Sequence, residues 1–250
     1  MQRLLTLVLS LALAACATST PPRNPAPASS PQSFHIEPVA PVADLLPLAL
    51  AASPPLEEGE FRSSDLVELS QLDADIKLDI RYATSNNFLR IPLYSQARAF
   101  LQRPAAEALV RVQRALASEG YGLLVHDAYR PWYVTKLFWD ATPPDKHHFV
   151  ADPAKGSRHN RGCAVDLTLY ELNSGRAVEM TSLYDEMSER AYPTYAGGSD
   201  AQRGRRDLLR RHMQEEGFTV YEFEWWHFDY RDWQSYAIQN IRFEAIAPPR

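Results

Sequence analysis

Ser157-Arg158-His159-Asn160-Arg161-Gly162-Cys163-Ala164-Val165-Asp166 sets a histidine and an aspartate seven positions apart around a glycine. On a straight strand that odd separation sends the two side chains to opposite faces. A turn at Gly162 removes the conflict, with His159 on the approach and Asp166 on a strand that leaves. Leu167, Thr168 and Leu169 follow Asp166, so that strand reads as buried. A carboxylate there needs a partner, because an isolated buried charge is costly. These residues alone leave two readings open: a metal ion, or an arginine beside an ordinary turn histidine.

Phe223-Glu224-Trp225-Trp226-His227-Phe228 adds a second histidine with a carboxylate three residues before it. A histidine among aromatics is often a satisfied core residue, but a glutamate in the same aromatic run is harder to dismiss. Two imidazoles and one carboxylate form a donor set that suits Zn²⁺. Three protein ligands leave a fourth position for water, whose pKa zinc lowers to about 7. An apolar surround raises the pKa of Glu224 toward neutrality, as a proton carrier near pH 7 requires. The chain reads first as a metallohydrolase.

Around these motifs the pattern is mixed. Ile76, Leu78, Ile80 and Tyr82 alternate with Lys77, Asp79 and Arg81, which predicts a half-buried strand. Pro104 to Glu119 predicts a helix with Ala105, Ala108, Leu109, Val112 and Leu116 on one face and Gly120 as its stop. Strands are predicted over Tyr121 to His126, Val165 to Tyr170 and Glu222 to Tyr230. Further helices are predicted from about Trp132 to Trp139, with both tryptophans in the core, and from Arg203 to Glu216, closed by Gly217. No regular βαβ unit appears, so the expected class is α+β: a single domain over 63–247 with a central antiparallel sheet flanked by helices. The Gly- and Arg-rich stretch from Tyr192 to Arg205 matches no element. His126, His147, His148 and His212 have no partner spacing and read as structural or exposed.

The N-terminus has a different composition. Arg3, the apolar run Leu4 to Leu13, and Leu13-Ala14-Ala15-Cys16 follow a signal-peptide layout over 1–15, too short to span a bilayer. A cysteine after Leu-Ala-Ala resembles a bacterial lipobox. That resemblance implies cleavage before Cys16, lipidation of Cys16, and an exported protein anchored in the periplasm. Ala17 rather than Asp favours the outer membrane. Residues 16–62 are rich in Pro and Ala and hold ten of the nineteen prolines. They are expected to form a semi-extended tether reaching on the order of 40 Å. Cys163 is the only other cysteine, so no intramolecular disulfide is expected. The net charge of -5 and the lack of a basic run give nucleic-acid binding no support. Nothing in the sequence speaks to oligomeric state.

The combined pattern S-x-H-x-x-G-x-A-x-D, then E-x-W-H, resembles the zinc D,D-peptidases, whose fold is shared with the hedgehog signalling domain. Ser157, His159, Gly162, Ala164 and Asp166 all match. Glu224-Trp225-Trp226-His227 is the form seen in D-alanyl-D-alanine dipeptidases of the vancomycin-resistance (VanX) type. Arg81 to Phe88, Gly120 to Leu124 with Asp127 to Pro131, and Asp166 to Tyr170 look like the same subfamily. The likeness runs over nearly all of 65–244. It implies one Zn²⁺ per chain on His159, Asp166 and His227, with Glu224 as the proton carrier. It further implies that Arg130 stabilises the oxyanion, and that Tyr82, Ser157 and Asp185 hold the dipeptide, Asp185 at its ammonium. Cys163 stands where the family often has Ser and reads as a small buried side chain rather than a fourth ligand.

The resemblance implies zinc-dependent hydrolysis of D-alanyl-D-alanine, in wall turnover or glycopeptide resistance. Export fits scavenging better than destruction of a cytoplasmic precursor. A D,D-carboxypeptidase acting on stem peptides shares the metal and base but needs an open cleft; Trp225-Trp226, Tyr82 and Asp185 favour the dipeptidase. A non-catalytic wall-binding lipoprotein on this fold would lack a ligand or the base, and neither is missing.

Overall fold

The computed structural model describes residues 33–246. In chain order its helices and strands are α1 (Val42–Ala51), β1 (Leu66–Glu68), α2 (Leu69–Leu72), β2 (Lys77–Leu78), β3 (Phe100–Gln102), α3 (Arg103–Ala117), β4 (Tyr121–Asp127), α4 (Trp132–Ala141), β5 (Ala164–Glu171), α5 (Asp200–Glu215), β6 (Phe218–Tyr221) and β7 (Glu224–Tyr230). Five strands form one sheet in the order β2-β4-β5-β7-β6, and β1 pairs with β3 in a small second sheet. Within the large sheet only the β2–β4 pairing is parallel. This is the expected α+β class.

The sheet's centre is its most buried part. β5 hides seven of its eight residues, which suits a strand with neighbours on both sides and covered faces. α3 lies against β4 and buries the predicted stripe of Ala105, Ala108, Leu109, Val112 and Leu116. Burying a leucine completely stabilises the fold by about 1.5–3 kcal/mol. Gly120, at φ 85°, lets the chain reverse into β4.

Several boundaries differ from expectation for identifiable reasons. The strand expected over 76–82 shrinks to Lys77–Leu78, because the chain tightens into a 3-10 turn at Arg81–Ala83. The burial alternation survives at its ends, with Ile76, Ile80 and Tyr82 in the core. β7 starts at Glu224 rather than 222, since Glu222 and Phe223 turn the chain back from β6. α5 starts at Asp200: the Ser199 side chain caps it and Gln202 completes a capping box. That accounts for the second half of the stretch from Tyr192 to Arg205. Trp132 is buried as expected, whereas Trp139 is only half-buried and stacks on His147 with ring centroids 3.8 Å apart.

The largest correction concerns the expected tether. Residues 33–62 are folded onto the domain. Val39 donates its N–H to Ala141 O, and α1 packs on α4. The reason lies in helical spacing within an apolar run. Val42, Leu45, Leu46 and Ala49 share one face, with Val42 and Ala49 buried and the two leucines packed on the core. Pro38 and Pro41 precede the helix, where they break nothing, and only Pro47 removes an intrahelical donor. The domain therefore extends well before residue 63. The expected signal peptide and Cys16 lie outside the described residues. Among those residues no helix is long and apolar enough to cross a membrane.

Candidate active site

Asp166 on β5 and His227 on β7 are direct register partners, so their side chains leave the same face of the sheet side by side. His159 arrives from outside the sheet. It opens the 3-10 turn His159–Arg161, which ends where Gly162 takes the left-handed conformation, φ 69°. A Cβ on Gly162 would stand 2.5 Å from Leu66 Cδ2. The carbonyl of Gly162 also accepts the N–H of Gln102 at 2.8 Å. The glycine thus does what the spacing predicted, and β3 fixes the turn from behind.

Three donor atoms converge. His159 Nε2 lies 3.1 Å from His227 Nδ1 and 3.3 Å from Asp166 Oδ1, and His227 Nδ1 lies 3.0 Å from the same oxygen. A tetrahedral ion with bonds of 2.0–2.2 Å holds its ligand atoms about 3.3–3.6 Å apart, so donor atoms 3.0–3.3 Å apart need open only slightly to take a zinc-sized cation. Asp166 Oδ1 is buried and faces the two imidazole nitrogens without a well-aligned hydrogen bond. A buried carboxylate oxygen normally has a partner, and a cation at the convergence point would be one.

The outward atoms of each donor residue are held. His159 Nδ1 lies 2.6 Å from Ala128 O, which leaves the Nε2 lone pair facing the cluster. His227 Nε2 lies 2.8 Å from Asp229 Oδ1, which leaves Nδ1 facing it. The Tyr184 hydroxyl donates to Asp166 Oδ2 at 2.9 Å. Such outer contacts fix the tautomer and aim of metal ligands. Burial and the flanking charges act in opposition at these groups. Burial disfavours the Asp166 carboxylate, but the two histidines outweigh it and hold its pKa well below the usual range. Burial likewise disfavours the His227 imidazolium, yet Asp229 and Asp166 lift it to about 10.

Glu224 stands three residues before His227, a spacing that would normally place it on the other face. Relative to β6, β7 bulges here: one step from Val220 to Tyr221 spans Phe228 back to Glu224. The bulge re-aims the side chain, and Glu224 lines the same cleft with Oε2 3.8 Å from His227 Nδ1. Burial pushes its carboxyl up to about 8, with His227 opposing and Asp166 adding to the rise.

Arg130 follows β4 and reaches the cleft above Asp166, with Nη2 3.6 Å from Oδ2. Its Nε and Nη2 both meet Asp127 Oδ2 at 2.8 Å, and its guanidinium rests on the rings of Phe138 and Tyr82. Tyr82 donates its hydroxyl to the carboxylate of Asp185, 3.0 Å from Oδ1 and 3.1 Å from Oδ2. Asp185 adopts φ 61°, a left-handed conformation that Asp tolerates better than most residues. Burial, then the nearby charges of Asp166 and Glu224, hold its pKa well above the ordinary range. Ser157 also lines the cleft, and its Oγ accepts the N–H of His159 at 3.2 Å.

All eight residues expected at the site therefore meet in one cleft. Cys163 does not join them: it is buried behind the turn, and burial pushes its thiol up to about 12. His126 is buried beside Asp79, and burial lowers its pKa to about 4. His212 pairs with Glu119 at 2.6 Å. Asp127, Tyr184 and Asp229 were missed. Asp229 was findable, since a carboxylate two residues beyond a strand histidine shares its face. Phe149, Met187 and Tyr221 form the rim from three separate segments, and no local spacing signals them.

The D-Ala-D-Ala dipeptidase family of M15 peptidases matches residues 62–246. The chain belongs to this family. The D-alanyl-D-alanine dipeptidase of Escherichia coli is 32% identical over 75% of this chain and 95% of its own length. Those of Enterococcus faecalis and Enterococcus faecium are 36% and 35% identical, over 64% and 66% of this chain and 88% and 90% of theirs. A looser likeness, TM-score 0.39 at 19% identity, covers 69% of this chain and 71% of the LD-carboxypeptidase LdcB; it does not discriminate between substrates. The dipeptidase family's model begins at residue 62, so the folded segment 33–61 precedes the part shared with it.

Proposed function

We propose that the protein hydrolyses free D-alanyl-D-alanine to two D-alanines, with one Zn²⁺ held by His159, Asp166 and His227. The observation that carries this reading is the convergence of two imidazole nitrogens, at 3.0 and 3.3 Å, on the buried Asp166 Oδ1. When bound there, zinc would supply Lewis acidity toward the scissile carbonyl and acidify water.

The chain's own residues supply the rest. Glu224 takes a proton from the attacking water as its oxygen bonds to the carbonyl carbon. It returns that proton to the nitrogen as the C–N bond breaks. Arg130, fixed by Asp127 and always charged, directs its remaining donors at the oxygen that gains charge. Asp185 and Tyr82 receive the substrate ammonium, whose positive charge restores the Asp185 carboxylate to its ionised form. Ser157 holds the His159 turn and offers its hydroxyl to the cleft.

The Asp185 position supports a free dipeptide over a stem peptide. A stem peptide would place a neutral amide there, which gives Asp185 no cationic partner and forgoes the charge-assisted contact that a free ammonium makes. The test compares D-Ala-D-Ala with its N-acetyl form and with a pentapeptide ending in D-Ala-D-Ala. Turnover of the free dipeptide alone is expected; comparable turnover of the pentapeptide would establish the D,D-carboxypeptidase reading instead. The complete donor set and base argue against a non-catalytic wall-binding role.

Export and a lipid anchor on Cys16 remain part of the proposal and rest on residues 1–16 of the sequence. An acylated N-terminal cysteine in the membrane fraction is expected by mass spectrometry. Soluble protein with an intact Met1 would overturn it. An exported enzyme of this kind fits recovery of D-alanine from wall turnover.

A further inference from the structure

Glu57 lies outside the matched family segment, yet it contacts the turn that carries His159. Its Oε1 accepts from Arg161 Nη2 at 2.5 Å, and its Oε2 accepts the N–H of Ile238 at 2.6 Å. Arg161 is the last residue of the His159–Arg161 turn, and its side chain is only 8% exposed. Its other amino group donates to Tyr236 O at 2.5 Å. One carboxylate therefore ties three segments together: the N-terminal segment, the turn, and the chain near Ile238.

One chain of hydrogen bonds leads from this knot to the cleft. Gln239, next to Ile238, donates its N–H to Asn160 O at 2.9 Å. Asn160 in turn donates its side-chain amide to Arg130 O at 2.8 Å, and Arg130 donates its own N–H to His159 O at 3.1 Å. Among the described residues Glu57 is the carboxylate that pairs with Arg161. Removing one partner of a buried charge pair leaves the other uncompensated, so the guanidinium would have to move, and the turn with it.

We propose that Glu57 is a positioning residue for the metal centre, and that the folded N-terminal segment is a clamp on the turn bearing His159. The metal half of this inference rests on the zinc reading above; the clamp does not. Glu57→Gln keeps the shape and removes the charge, and Glu57→Ala removes both. Zinc affinity, measured by chelator competition, should fall on the order of tenfold for Glu57→Ala, at the low end for residues that orient metal ligands, and less for Glu57→Gln. The exposed neighbour variant Glu58→Gln should leave it unchanged. Arg161→Gln should weaken zinc similarly, and the double variant should be no worse than the weaker binder of the two, because both act through one contact.

In the metal-free protein, hydrogen exchange at the Gly162 and Cys163 amides should quicken in Glu57→Ala while the β5 amides keep their protection. Unchanged zinc affinity with unchanged exchange at these two amides would overturn the proposal. So would faster exchange across the whole sheet, which would make Glu57 a contributor to global stability alone. If the wild type itself retains no zinc, the zinc reading fails, and the exchange comparison still decides the clamp.

Discussion

The two halves of the cleft are built differently. On one side Asp166 and His227 stand on paired central strands, held in register by the sheet. On the other, Tyr82, Asp185 and the rim residues Phe149, Met187 and Tyr221 come from turns and strand ends scattered along the chain. In the proposed reaction the strand-borne half would set where reacting atoms sit, and rigid elements hold such positions best. The loop-borne half would set what is admitted. Substitutions in the first half should therefore strike metal binding or turnover, and those in the second should strike substrate affinity.

The largest expected effect is at the base. Glu224→Gln keeps the size and cannot carry the proton, so kcat should fall by about 10²–10⁴ with zinc content unchanged. A loss of zinc as well would mean that Glu224 is a ligand. Arg130→Ala should lower kcat by about 10²–10³, the range seen when one donor to a developing oxyanion is removed. Steady-state kinetics on zinc-replete protein would separate this from a KM effect. Asp229→Asn should weaken zinc by about 10–100-fold, since it releases the imidazole edge opposite the donor atom.

On the other side of the cleft, Asp185→Asn should raise KM for D-Ala-D-Ala and leave zinc affinity alone. It should also narrow the gap between the free and the N-acetylated dipeptide. An equal loss on both substrates would remove the ammonium contact from Asp185. The smallest effect is graded. In the metal-free protein Asp229 and Asp166 keep His227 protonated up to about pH 10, so a metal must displace that proton. Zinc affinity should fall as pH falls, by at most about tenfold per unit, and a flat profile between pH 6 and 9 would contradict the assignment of His227.

The same division governs what was legible in the sequence. His159, Asp166, Glu224 and His227 could be read because a glycine turn and a strand set their geometry over a few residues. Even there, the odd spacing of Glu224 and His227 needed a bulge that no residue pattern announces. Tyr82, Ser157 and Asp185 are legible only through family resemblance, and Tyr184 is not, although it directly precedes Asp185. Its contact with Asp166 spans 18 positions and has no local signature. The fold shows the same contrast. The α3 stripe is legible from its period, while the prolines around α1 mask it. Composition suggested a tether there, yet four apolar positions at helical spacing, docked on α4, were enough to order the segment.

The most direct test of the account is turnover of D-Ala-D-Ala by chelator-stripped protein as zinc is added back. Activity should be absent without metal, rise in proportion to zinc, and saturate at one equivalent per chain, with no saturating activity in His159→Ala. Full turnover by stripped protein, or saturation that survives loss of His159, would contradict a single centre built on His159, Asp166 and His227.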